Sequence, residues 1–197
     1  MGMMDAKPYH HGDLPSTLLV AAEAELQEKG VEAFSLRSVA KRAGVSHAAP
    51  AHHFGDTTGL LTALAALGFQ DFLATQHAFE ARAKKTSRDQ LVAAGLGYIG
   101  FARARPALFK LMFGSERTDY ENKLLKTAAE AAIAHLMAQV KLVGSTEAQD
   151  VTAVWATAHG LADLIIAGRI SVIRDFSEEA LQAMLTTILA RSLPTFP

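Results

Sequence analysis

The sequence predicts an all-α protein, and three observations carry that prediction. Of its 197 residues, 37 are alanine, the strongest helix former. No proline lies between Pro50 and Pro106 or between Pro106 and Pro194, which leaves the i→i−4 hydrogen-bond ladder unbroken over long stretches. Asn-Gly and Asp-Gly hairpin signals are absent, as is any sustained two-residue alternation. Start and stop signals divide the chain into about nine helices.

Asp13 is placed to cap the first helix, whose apolar positions Leu18, Leu19, Ala22 and Leu26 share a face, and Gly30 stops it. Ser35 caps a short second helix with Leu36, Val39, Ala40 and Ala43 inward, ended by Gly44. Ser46 is expected to cap a short third helix. Asp56 opens a long fourth helix through Leu60, Leu61, Leu64, Leu67 and Phe72 to about Ala83. Ser87 is expected to cap a fifth helix through Leu91, Tyr98 and Phe101. Pro106 suits the first turn of a sixth, which Gly114 stops. A seventh spans about Asp119–Leu142. Thr146-Glu147-Ala148-Gln149 has the capping-box pattern and opens an eighth, running to Gly168. Ser177, with Glu178 and Glu179 favouring the positive end of the helix dipole, opens the last.

Composition narrows the chemistry. The chain has no cysteine, which removes disulfides, Cys-ligated zinc, iron–sulfur clusters and thiol nucleophiles. Nineteen Lys+Arg against twenty Asp+Glu argue against a polybasic coat, but leave room for a local basic patch. The apolar runs around Leu60–Phe69 and Leu161–Ala167 fall short of the roughly 18 residues of a membrane span. The polar start from Met1 to Asp13 lacks the apolar stretch of a signal peptide, so a cytoplasmic protein without a membrane partner is expected. His10-His11 and His52-His53 are adjacent pairs without metal-ligand spacing, and no Gly-rich phosphate loop occurs. No catalytic site, metal or cofactor is therefore predicted.

One segment carries functional logic. In Ser35-Leu36-Arg37-Ser38-Val39-Ala40-Lys41-Arg42-Ala43-Gly44-Val45-Ser46, Val39, Ala40 and Val45 pack two helices, and Gly44 permits the positive φ of a tight turn. This is a helix-turn-helix pattern, though a plain αα-hairpin has the same apolar spacing. Together with Tyr9-His10-His11-Gly12-Asp13-Leu14, Ala49-Pro50, His53-Phe54 and Leu60-Leu61, it resembles the DNA-binding domain of TetR/AcrR-type transcriptional regulators. More loosely, Arg105-Pro106 with Leu108 to Phe113, then Trp155 and His159-Gly160-Leu161, resemble the C-terminal regulatory domain named for a Trp-His-Gly motif.

The resemblance implies a DNA-binding domain over residues 9–61 and a ligand-binding and dimerisation domain over 62–197, joined by the long helix. It implies a homodimer formed through the last two helices, with two recognition helices on a palindromic double-stranded DNA operator. A small-molecule effector of unknown identity would release that operator, making the chain a repressor. Arg37, Ser38, Lys41 and Arg42 are placed for phosphate contacts, with Ser46, His47, Ala48, Ala49, Ala51, His52, His53 and Thr57 at or beside the recognition helix. Family members usually carry an aromatic at the position of Ala51 and a lysine at that of Thr57, both phosphate ligands. This chain has neither, and Ser46–Phe54 holds no Lys or Arg. Over residues 1–61 five basic side chains face seven acidic ones. Because phosphate neutralisation supplies non-specific affinity, DNA binding is expected to be weaker and more pH-sensitive than is usual for this family, strengthening on acidification as imidazoles gain charge.

For the second half, Phe69, Phe72, Phe101, Phe109, Met112, Phe113, Leu136, Trp155 and His159 are the expected lining of a ligand cavity, the alternative being a filled core. His159 and Asp163, four apart, are expected to share a structural hydrogen bond. Two other readings compete: a ligand-binding helical dimer that has lost useful DNA affinity, and a helical enzyme built on His159 and Asp163.

Overall fold

A computed structural model describes residues 14–193. Among these residues the fold is all-α, with nine α-helices and one 3₁₀ turn. In order they are α1 (Leu14–Lys29), α2 (Leu36–Ala43), α3 (Ala49–Phe54), α4 (Thr57–Arg82), α5 (Ser87–Ala104), α6 (Pro106–Gly114), α7 (Lys123–Leu142), α8 (Ala148–Ile166) and α9 (Glu178–Arg191). The expected cap Asp13 and the Tyr9–Leu14 motif up to Asp13 lie outside the described residues.

Several caps form as their residue types dictate. Ser35 Oγ accepts from Ser38 N at 3.2 Å, Asp56 from Gly59 N at 2.8 Å and Ser177 from Ala180 N at 3.2 Å. Four expected starts are displaced. Helix α3 begins at Ala49 without a side-chain cap, because Pro50 fits only the first turn and brings no N–H needing a partner. Ser46 instead accepts Ala49 N on its main-chain carbonyl, at 3.0 Å. Thr86, not Ser87, caps α5. Helix α7 starts at Lys123 rather than near Asp119, whose N–H is tied to Thr62 Oγ1 of α4 at 2.9 Å, and Asn122 is the cap. The capping box at Thr146 does not form. Glu147 stands at the N-cap without a side-chain cap bond, and buried Ser145 braces the turn before it, accepting from Glu147 N and donating to the Asp150 carboxylate.

The apolar core is continuous from α1 to α9. Leu18 and Leu26 of α1 meet Leu60, Leu61 and Leu64 at the start of α4, so the first three helices sit on the near end of that helix. The far part of α4 packs against α5, α6 and α7. By length and composition α4 meets the test for a membrane span that the sequence runs did not, but half of that apolar window is buried inside the protein. Its apolarity serves the core.

Charges fasten the first three helices. Glu25 of α1 is buried and lies 2.8 Å from Lys29 Nζ and 3.0 Å from Arg42 Nε of α2. Arg42 also pairs with Glu28. The Lys29 ammonium, with smaller help from Ser38 and Arg42, outweighs burial and holds the Glu25 carboxyl at about 2. Arg105, between α5 and α6, joins the two parts of the molecule. Its guanidinium bonds Glu23 of α1 and Asp71 of α4 and lies 5.3 Å from the Phe101 ring centre.

Two stability predictions follow from this packing. A depressed carboxyl pKa contributes stability above the unfolded value of 4.5 that is lost as pH falls towards 2. Glu25→Gln is therefore expected to cost roughly 1.5–3 kcal/mol at pH 7 in urea unfolding, with the difference from wild type closing through that window. At Gly97 of α5 a Cβ would lie 2.8 Å from Gln76 Cα of α4, so this helix crossing needs glycine. Gly97→Ala is expected to cost about 1–3 kcal/mol in the same assay.

Candidate functional site

The first site is the outer face of α2 and α3. Gly44, at φ +69°, reverses the chain after α2, and its N–H donates to Lys41 O at 3.3 Å while Val45 N donates to Ala40 O at 3.1 Å. Only a residue free to adopt the left-handed region makes this turn cheaply. Pro50 is buried and Phe54 packs on the core, which turns Ala51, His52 and His53 outward. Ser46, His47 and Ala48 are exposed in the turn before α3; Ala49 and Thr57 are half-buried. On α2, Arg37 and Lys41 are exposed and without an ion pair among the described residues. A six-residue helix is about 9 Å long, which fits a major groove.

Two of the expected phosphate contacts are occupied within the chain. Arg42 is held by Glu25 and Glu28, partners 17 and 14 residues away on α1. Ser38 Oγ donates to Ser35 O at 2.9 Å and lies 2.7 Å from Ser35 Oγ, so its hydroxyl serves the helix start. Among the described residues, the cations of α2 left without an ion pair are Arg37 and Lys41, and the α3 side of the face offers the imidazoles of His47, His52 and His53 as hydrogen-bonding groups.

The second site is a cavity of about 680 Å³ among α4 to α9. Of the residues singled out in the sequence, Phe69, Phe72, Met112, Phe113, Leu136, Trp155 and His159 line it. Phe101 and Phe109 do not. Both are about 2 % exposed and form a layer behind the wall, Phe101 against Phe72 and Arg105, Phe109 beneath Tyr98 and Phe113. Phe101 is three residues beyond Tyr98, a turn of the helix that points it past the cavity towards α4 and Arg105.

Tyr98 is the polar centre the sequence reading missed. Its hydroxyl lies 2.7 Å from His159 Nδ1 and accepts from Trp155 Nε1 at 3.3 Å. Burial pushes its phenol well above the usual range, so it stays a neutral hydroxyl. Gln76, Tyr120 and Thr152 add further polar groups to an otherwise apolar wall. The expected His159–Asp163 bond is absent: His159 faces Tyr98, and Asp163 is exposed. Apolar periodicity marked Tyr98 as inward, but an inward side chain reaches core or cavity equally well.

The two sites share a helix. α4 starts at Thr57, directly after Asp56, packs against α3, and carries Phe69, Phe72 and Gln76 to the cavity wall.

Comparison with known proteins agrees with both halves. The family described as bacterial regulatory proteins, tetR family, matches residues 18–64, and the tetracyclin repressor-like C-terminal domain matches residues 91–188. A protein of unknown function from Rhodococcus sp. RHA1 is 30% identical, with a TM-score of 0.80 over 96% of this chain and 100% of its own. A TetR-like transcriptional regulator from the same organism is 17% identical, with a TM-score of 0.66 over 95% of this chain and 98% of its own. A TetR family regulator from Marinobacter aquaeolei VT8 is 18% identical, with a TM-score of 0.68 over 92% of this chain and 95% of its own. The last two share the fold at that identity. No protein of curated function matches. With tetR-type matches to both its DNA-binding and its C-terminal segments, the chain belongs to the TetR family and is a DNA-binding transcriptional regulator.

Proposed function

We propose that the chain is a homodimeric cytoplasmic repressor, released from a palindromic operator when a largely apolar small molecule enters the cavity. The observation that carries this reading is that one unbroken helix, α4, packs against α3 at its start and lines the cavity further along. In this scheme residues 9–61 are the DNA-binding domain and residues 62–197 bind ligand and partner. A ligand of this cavity has an apolar body, matching Phe69, Phe72 and Phe113, and a polar group for Tyr98 or His159. Seated there, it bears on α4 and on α6, whose Met112 sulfur packs so closely on Gly68 that a Cβ would lie 2.7 Å away. Arg105 passes displacement of either helix to α1 through Glu23.

α8 and α9 are the proposed dimer surface. Leu164 of α8 is about 42 % exposed, and a Cβ on Gly160 would meet nothing within 4 Å, leaving space for a partner helix. We assign no catalysis to His159, whose Nδ1 is engaged by Tyr98.

Selection of bound duplexes from random DNA tests the regulator reading. A palindrome is expected, with half-sites about one helical turn apart, roughly 34–36 Å. Binding is expected to be tighter at pH 6 than at pH 8 at constant salt, and at least tenfold weaker for Arg37→Ala/Lys41→Ala. No enriched sequence at pH 6 and low salt supports the alternative, a ligand-binding dimer without useful DNA affinity. The coupling has its own test. Trp155 is the only tryptophan and lines the cavity, so its fluorescence reports occupancy. Compounds that change it are expected to lower operator affinity in wild type, and to do so several-fold less in Arg105→Gln.

A further inference from the structure

A cluster on the far side of the cavity wall has no part in the regulator scheme. His77 and Glu80 stand one turn apart on α4, and His135 reaches them from α7. His77 Nδ1 lies 3.0 Å from Glu80 Oε2, and His135 Nε2 lies 2.7 Å from Glu80 Oε1. The two imidazole rings are 4.5 Å apart, and one donor atom from each residue falls within 4.8 Å of the others. We propose that His77, Glu80 and His135 form a binding site for a divalent ion of the zinc class.

The donor set has the composition such an ion selects. Two imidazoles and one carboxylate suit zinc and its neighbours, whereas magnesium and calcium take oxygen ligands. Tetrahedral zinc, with bonds of about 2.0–2.1 Å, holds its ligands roughly 3.3 Å apart, so small side-chain adjustments convert the observed spacing into coordination. Glu80 and His135 are largely buried, which fixes their rotamers, while the His77 side chain is about half exposed and gives the ion an entry path.

Gln139, one turn beyond His135, supplies the outer layer. Its Nε2 donates to Glu80 Oε1 at 3.2 Å, which orients the carboxylate in the manner of the groups that support metal ligands. Its Oε1 is buried and unpartnered among the described residues. A water completing the coordination of a three-ligand ion is the kind of donor this oxygen lacks. The nearby Lys85 ammonium bonds the Glu80 main-chain carbonyl at 3.1 Å, not its carboxylate. Gln76 and Leu136, the chain neighbours of His77 and His135, line the cavity. An ion at this site clamps the two helices that carry them.

Calorimetric titration of metal-free protein with Zn²⁺, and with Mg²⁺ for comparison, tests the assignment. One Zn²⁺ per chain is expected, with no Mg²⁺ binding. His77→Asn and His135→Asn are each expected to weaken Zn²⁺ binding at least tenfold, while His10→Ala/His11→Ala and His52→Ala/His53→Ala retain it. Co²⁺ is expected to give visible absorption that both site variants lose. The half-exposed His77 is replaceable without unfolding, and circular dichroism of the variant verifies this. Failure to bind Zn²⁺ stoichiometrically, or binding that survives both site variants, overturns the proposal, which stands apart from any operator result.

Discussion

Arg105 is the interaction on which the arrangement of the two halves depends. It terminates α5, precedes α6, and carries a guanidinium that reaches α1 and α4 together. A planar donor fork suits this task, because it meets the Glu23 carboxylate with two nitrogens and still has one for Asp71. With Phe101 against it, the charge sits over an aromatic face at the edge of the aromatic layer behind the cavity. Helix α4 adds the second constraint. Leu60, Leu61 and Leu64 belong to the core of the first three helices, and Phe69 and Phe72 to the cavity wall, on one unbroken helix. Neither half rearranges without loading this helix or this ion network.

The recognition face shows a tension between folding and binding. A short three-helix unit has little apolar core, and Glu25, Lys29, Arg42 and Glu28 supplement it with a charge network. That network engages Arg42, a cation that the helix-turn-helix otherwise offers to phosphate. The outward surface of α3 is left with alanines and imidazoles. The shortage of Lys and Arg in Ser46–Phe54 is visible in the sequence, whereas the engagement of Arg42 is not, because its partners lie on another helix.

Legibility followed the range of the interaction. The Ser35, Asp56 and Ser177 caps and the Gly44 turn are settled within a few residues, and the sequence displays them. Ser46 failed as a cap because Pro50, four residues on, governs where a helix starts. Thr146 is not the cap because α8 starts one residue later, at Ala148 after Glu147, with the Ser145 hydroxyl bracing the preceding turn. The cavity was legible as a list of inward aromatics, yet Phe101 and Phe109 were indistinguishable from Phe72 and Phe113 without knowing the angle at which helices cross. The His77–Glu80 pair has visible one-turn spacing, but its third member, His135, comes from α7, 55 residues after Glu80.

The central claim is that the cavity and the recognition helices form one mechanical unit. Because the chain has no cysteine, Thr58→Cys places a single spin label on the exposed face of α4 next to α3. Pulsed electron resonance then measures the separation between the two labels of a dimer. One narrow distance distribution is expected on operator DNA, and a displaced one when the larger side chain of Leu136→Trp crowds the cavity. Identical distributions in the two states would contradict it.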